Sequence, residues 1–135
     1  MAALKLSKEN KAQTLTVTNV LGSSLARLSD YVLYTCAGPE IAVASTKAYT
    51  TQLVLLACLC LKLASLFNKD VACKNHMINQ LKLMPDVVEQ MLAQEEKMAE
   101  FAKQLTNQKD SYFIGRQFDY LSVLEGALKL KEVSY

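Results

Sequence analysis

The stretch from Ala44 to Phe67 constrains the fold more than any other part of the chain, because it reads as one long helix whose middle is apolar on nearly every face. Such a helix has no polar side to give to water, so it must be covered on both sides. Upstream of it, Thr14 to Val20 alternates β-branched and apolar residues, and Tyr31 to Cys36 is a second β-rich run. Both predict strands. Between them, Gly22-Ser23-Ser24 can turn the chain and cap a short helix through Leu28. Strands joined by helical crossovers favour parallel pairing with right-handed connections, which places helices on the faces of a sheet.

The remaining segments fit the same class. Ala2 to Lys11 is built of good helix formers with no Ser, Thr, Asp or Asn cap before it, so the helix is expected to begin upstream. Gly38-Pro39 ends the second strand with a turn. Asn75 to Gln108 has helical, polar spacing, and Pro85 suits the first turn of a new helix, which predicts two helices meeting there. Met77, Met84, Met91 and Met98 recur every seven residues and predict a buried stripe on these helices, not a cofactor box. Ser111 to Gly115 reads as a short apolar strand, followed by a helix from Tyr120 to the end. The expected fold is α/β, a parallel sheet flanked by helices. The last strand and helix open a second domain.

Composition removes several function classes. Hydrophobic residues at 51% and charged residues at 21% belong to a chain that folds. Fifteen basic and thirteen acidic residues are scattered to a net +2, which leaves no basic stripe for a phosphate backbone and argues against nucleic acid. The uninterrupted apolar run Leu53 to Leu61 is closed by Lys62 and falls short of the roughly 18 residues of a membrane span. Met1 to Lys5 has no apolar signal region, so a soluble protein of the cytoplasm, with no membrane contact, is expected. Cys36, Cys58, Cys60 and Cys73 lack Cys-x-x-Cys spacing, and the single histidine, His76, follows Cys73 by three. One such pair makes no zinc site; no metal and no cofactor is implied. Apolar neighbours predict reduced, buried thiols at Cys58 and Cys60, and polar neighbours predict a surface position for His76.

Two places could carry chemistry. In the final helix, Leu121, Leu124 and Leu128 form a core stripe, while Glu125, Lys129 and Glu132 share a separate face. That strip is either a solvated face with an ordinary i,i+4 pair, or a carboxylate that moves a proton beside a carbonyl with an ammonium polarising oxygen. The second place is Ala37 to Lys47, where a loop leaves a strand and feeds the long helix. Ligands of open parallel sheets bind outside the carboxyl ends of the strands, and helix N-termini there offer free N–H groups. Ser45 and Thr46 either bind a ligand or cap the helix. Gly22-Ser23-Ser24 admits a phosphate cradle or a plain turn.

These residues carry a resemblance. Ala37-Gly38-Pro39-Glu40 through Val43-Ala44-Ser45-Thr46-Lys47-Ala48-Tyr49-Thr50-Thr51-Gln52, with Leu124-Glu125-Gly126-Ala127-Leu128-Lys129-Leu130-Lys131-Glu132-Val133-Ser134-Tyr135, resemble signature stretches of the isomerase half of the glutamine–fructose-6-phosphate aminotransferases. The run Asn19 to Ser24 with Arg27, and Phe113-Ile114-Gly115-Arg116, resemble it too. The likeness covers nearly the whole chain and is weakest from Asn68 to Asp110. Ala42 and Gln117 stand where that family usually has glycine.

The resemblance implies a sugar-isomerase (SIS) fold: residues 1–67 as the C-terminal part of one SIS domain, 68–110 as a helical connection, and 111–135 as the start of a second. It places Val43 and Ser45 against a sugar phosphate, fructose 6-phosphate or glucosamine 6-phosphate. It makes Glu132 the base for proton transfer between C1 and C2, with Lys129 beside it. The family's phosphate loop, ring-opening histidine, C-terminal lysine and glutaminase half are not among these 135 residues, so the chain alone is not expected to be a competent aminotransferase. The other reading is a non-catalytic sugar-phosphate-binding or dimerisation module of the same fold. Unpaired sheet edges and an apolar helix face predict a homo-oligomer.

Overall fold

The computed structural model describes residues 1–69, 72 and 74–134. They divide into two compact units, Met1–Lys62 and Leu63–Tyr135. The first holds α1 (Ala2–Glu9), β1 (Leu15–Thr18), α2 (Ser24–Leu28), β2 (Tyr31–Tyr34) and most of α3 (Lys47–Leu66). The second holds α4 (Lys74–Leu92), α5 (Glu95–Leu105) and α6 (Phe118–Ser134).

β1 and β2 pair in parallel, from Leu15 beside Tyr31 to Thr18 beside Tyr34. This is the α/β arrangement that strand spacing predicts, a small parallel sheet with helices around it. The ladder continues at both ends, where Tyr31 N–H donates to the Thr14 carbonyl at 2.9 Å and Thr35 N–H to that of Thr18 at 3.1 Å. The crossover between the strands contains α2, and the Ser23 hydroxyl accepts the Ala26 N–H at 3.2 Å as its cap.

Asp30 fastens the amino ends of the two strands. Its Oδ2 accepts the Thr14 N–H at 2.8 Å and the Thr14 hydroxyl at 2.7 Å, and the Asp30 N–H returns a bond to Thr14 Oγ1 at 3.1 Å. Thr14 is buried, so these bonds satisfy polar atoms that water does not reach. The hydrogen bonds from Thr14 hold the Asp30 carboxyl below its ordinary range. Desolvation works against them, and Lys8, whose Nζ lies 3.7 Å from Oδ1, adds a lesser lowering.

Two helices end in the same way, each with a residue other than glycine in the left-handed region. After α1, Lys11 has φ +57°, with Lys11 N–H bonded to the Lys8 carbonyl and Ala12 N–H to that of Ser7, both at 2.9 Å. After α3, Asn68 has φ +48°, with Asn68 N–H bonded to Ser65 at 3.3 Å and Lys69 N–H to Ala64 at 2.9 Å.

Several expectations are corrected. α4 runs through Pro85 without ending; the break falls at Ala93 and Gln94. A proline's fixed φ is helical and forfeits one backbone bond, which the helix formers Leu81 to Met84 before it and Glu89 to Leu92 after it outlast. Ser111 to Gly115 forms no strand, because no neighbouring strand in the second unit is present to take its N–H and C=O groups among the described residues. Its residues are used otherwise: a Cβ on Gly126 of α6 would meet the Phe113 ring at 3.2 Å, and one on Gly115 would meet the Asp119 carbonyl oxygen at 2.7 Å. The methionine stripe is half-buried at Met77 and Met84 and exposed at Met91 and Met98, where the helix break interrupts the repeat. Cys58 and Cys60 are exposed, not buried; Cys73 lies outside the described residues.

α3 explains that last difference. It is 20 residues long and, by length and composition alone, apolar enough to cross a membrane, although a core helix of a soluble protein passes the same test. Counting only the unbroken run Leu53 to Leu61 understates it. Of its apolar residues Leu61 is buried, while Leu53, Leu56, Leu63 and Leu66 are exposed. The described residues therefore do not supply the cover that such a helix demands. The accessible surface makes the same point, at 11376 Å² for 15.0 kDa. One compact domain of that mass exposes roughly 7,000 Å², and two separate domains of half that mass roughly 8,500 Å².

Candidate functional site

The loop between β2 and α3 leaves the carboxyl end of the sheet through two left-handed residues, Cys36 at φ +54° and Gly38 at φ +69°. Space does not demand glycine at 38, since a Cβ there would meet nothing within 4 Å; the backbone angle does. Asn19, the residue after β1, reaches across to this segment. Its Oδ1 accepts the Thr35 hydroxyl at 3.0 Å and the Ala37 N–H at 2.9 Å, while its Nδ2 donates to the Gly38 carbonyl at 2.6 Å.

At its far end the loop is held by a carboxylate. Where the sequence points to Ser45 or Thr46 as the cap of α3, Glu40 Oε2 accepts the Ala48 N–H at 3.2 Å. Thr46 contributes its backbone carbonyl, which accepts the Thr50 N–H at 3.2 Å and opens the helix. Between these fastenings Val43 is 85% exposed and Ser45 is half-buried. The plain turn, not a phosphate cradle, accounts for Gly22-Ser23-Ser24: Gly22 has φ +65° and Ser23 caps α2.

The second cluster lies on α6. Lys129 Nζ sits 3.0 Å from Glu125 Oε1 and 3.1 Å from Glu132 Oε2, one helical turn away on either side. All three side chains are half-buried, at 24%, 26% and 32% exposure for Lys129, Glu125 and Glu132. Hydrogen bonding, to Glu125 first and then to Glu132, raises the Lys129 ammonium above its ordinary range despite some desolvation. The group is thus a fixed positive charge. Two carboxylates converge on it, and each contributes one oxygen to the contact.

Of the predicted residues, Lys129 and Glu132 are in contact on α6 in the second unit, while Val43 and Ser45 share the loop of the first unit. Sequence reasoning missed Asn19 and Glu40. An asparagine inside a run of β-branched and apolar residues was the available signal for the first; nothing in the spacing distinguishes Glu40 from a solvated loop acid. A shallow hollow of about 540 Å³ lined by Lys8, Lys11, Gln13 and Asp30 lies at the amino ends of the strands, away from the loop, and takes in none of the predicted residues. Among the described residues no group of His, Cys, Asp and Glu could hold a metal ion.

Parallel strands with helices around them accompany a match of residues 1–62 to the SIS domain, the class of fold that the first unit is similar to. More particularly, the chain is similar over its full length to part of proteins named glutamine–fructose-6-phosphate aminotransferase (isomerizing). It is 48% identical over 136 residues to the protein of that name from Caldanaerobacter subterraneus subsp. tengcongensis, taking in 100% of this chain and 22% of the relative. The likeness is 45% over 138 residues for Thermococcus kodakarensis, with 100% and 23% covered. For Escherichia coli it is 45% over 136 residues, with 100% and 22% covered. The chain thus spans less than a quarter of the length of these relatives.

Proposed function

We propose that this chain supplies the loop that contacts the sugar phosphate and the helix that moves the proton in a glutamine–fructose-6-phosphate aminotransferase, which makes glucosamine 6-phosphate from fructose 6-phosphate and glutamine. The observation that carries this reading is the strip on α6, where one ammonium is held between two half-buried carboxylates. In solvent such a strip is an ordinary i,i+4 pair with a neighbour. In a segment that follows relatives named as isomerizing aminotransferases through this helix, its chemistry suits an enolising step. Glu132, with one oxygen engaged by Lys129 and the other not, takes the proton from one of the two adjacent carbons and returns it to the other. Lys129 stays charged and stabilises the negative charge that develops on the neighbouring oxygen. Val43 and Ser45 hold the sugar phosphate.

The same reading puts α3 in a protein interior and the protein in the cytoplasm. Lys47, Thr50, Thr51 and Gln52 in its first turns and Lys62 near its end suit a helix packed against protein, and the exposed leucines of α3 need cover of that kind. Association into a homo-oligomer belongs to the same proposal.

Titration calorimetry of fructose 6-phosphate and glucosamine 6-phosphate into the purified chain, with Glu132→Ala alongside, tests it. The expected result is saturable binding by the unaltered chain and affinity lowered roughly tenfold by the substitution, the loss of one charge-assisted hydrogen bond. Absence of binding, or binding indifferent to Glu132, favours a structural segment without a working half-site.

A further inference from the structure

Asn19 has no part in that account, yet it makes three hydrogen bonds to the segment that carries the loop. Their directions fix the amide unambiguously. The Ala37 N–H can only donate and the Gly38 carbonyl can only accept, so the oxygen faces residues 35–37 and the nitrogen faces Gly38. No other side chain of this length offers an acceptor and a donor at once. Aspartate would bring a second acceptor against the Gly38 carbonyl, and leucine would bring neither group.

The place of these bonds matters as much as their number. Cys36 and Gly38, the two left-handed residues at which the chain turns off the sheet, flank the Ala37 N–H that Asn19 accepts. Left-handed backbone at a residue other than glycine persists only where its surroundings hold it. Downstream, Glu40 fastens the loop to Ala48, so Val43 and Ser45 lie on a span held at both ends, with Asn19 setting the angle at which it departs.

We propose that Asn19 is a positioning residue for sugar-phosphate binding: it touches no ligand and sets the conformation of the loop that presents Val43 and Ser45. This rests on the reading of that loop as part of a sugar-phosphate site.

The test joins amide hydrogen exchange to titration of glucosamine 6-phosphate in the whole chain, for the unaltered protein, Asn19→Ala and Asn19→Asp. The Thr35 N–H, bonded to the Thr18 carbonyl within the ladder, is the internal reference. In Asn19→Ala, Ala37 exchange is expected to rise about tenfold relative to Thr35 and affinity to fall about tenfold, as for one positioning hydrogen bond lost. Asn19→Asp keeps the Ala37 bond and loses the one to Gly38, so Ala37 stays protected while affinity falls. Equal rises at Ala37 and Thr35 would mean that Asn19 holds the sheet and not the loop, and would overturn the proposal. So would unchanged affinity in both variants when the unaltered chain binds. If the unaltered chain binds nothing, the sugar-phosphate reading itself fails and this inference falls with it, an outcome separate from the other two.

Discussion

Gln117 adopts φ +56° just before α6, a backbone angle that favours glycine. A left-handed residue with a Cβ costs about 1 kcal/mol or more relative to glycine, partly offset by the extra freedom glycine brings to the unfolded chain. Gln117→Gly is therefore expected to stabilise the protein by about 0.5–1 kcal/mol, read as a higher urea midpoint, with Gln117→Ala close to neutral. A lower midpoint for the glycine variant would mean that the glutamine side chain makes a contact worth more than the strain. At this scale the sequence was legible where a side chain acts on its own neighbours, as Ser23 does in capping α2. It was not legible where partners lie far along the chain. Asn19 and Gly38 are nineteen positions apart, and no local pattern announces a bond between them. Glu40 displacing Ser45 and Thr46 as the cap of α3 depends on how the loop folds back, which spacing does not record.

The elements themselves follow the periodicity of apolar residues closely, because the chain decides helix or strand over a few residues. Both strands of the first unit, their parallel pairing and the long α3 stand where the pattern puts them. The run Ser111 to Gly115 has the composition of a strand and lacks a partner, and a strand is defined by its partner. Pro85 marked a boundary that α4 does not observe. Between elements, the bonds of Asp30 to Thr14 and Lys8 tie α1, β1 and β2 together, and they carry a pH dependence. The carboxyl is held below its ordinary range in the folded state, so its contribution is present above that range and is lost as pH falls below it through the lowered folded-state value. Urea midpoints followed from neutral into acid solution should fall for the unaltered chain, with a flatter acid limb in Asp30→Asn. Parallel curves for the two would assign the acid sensitivity to other carboxylates.

For the molecule as a whole, the surface left open exceeds that of two compact domains by several times the roughly 800 Å² that each partner gives to a standard interface. Exposed leucines on α3 and α6 contribute to it. Sedimentation velocity over a wide concentration range is expected to show self-association, and a compact monomer at every concentration would refute the homo-oligomer. The need for cover was legible in α3 from the sequence. Its source was not, because burial depends on what packs against a helix and the amphipathic pattern names only the face. The thiols of Cys58 and Cys60 were misplaced for that reason.

The parallel pairing of β1 with β2 also bears on the order in which the first unit assembles. A hairpin can zip from its turn, each bond bringing the next within reach. Here Leu15 must find Tyr31 across the crossover before any ladder bond rewards the closure, whereas α1 and α2 need only near neighbours. An isolated pair of strands is marginal in water even when formed. The helices are then expected to form before the sheet, and the sheet to persist only where something covers it. Timing, as much as sequence, decides when the loop that Asn19 steadies first exists.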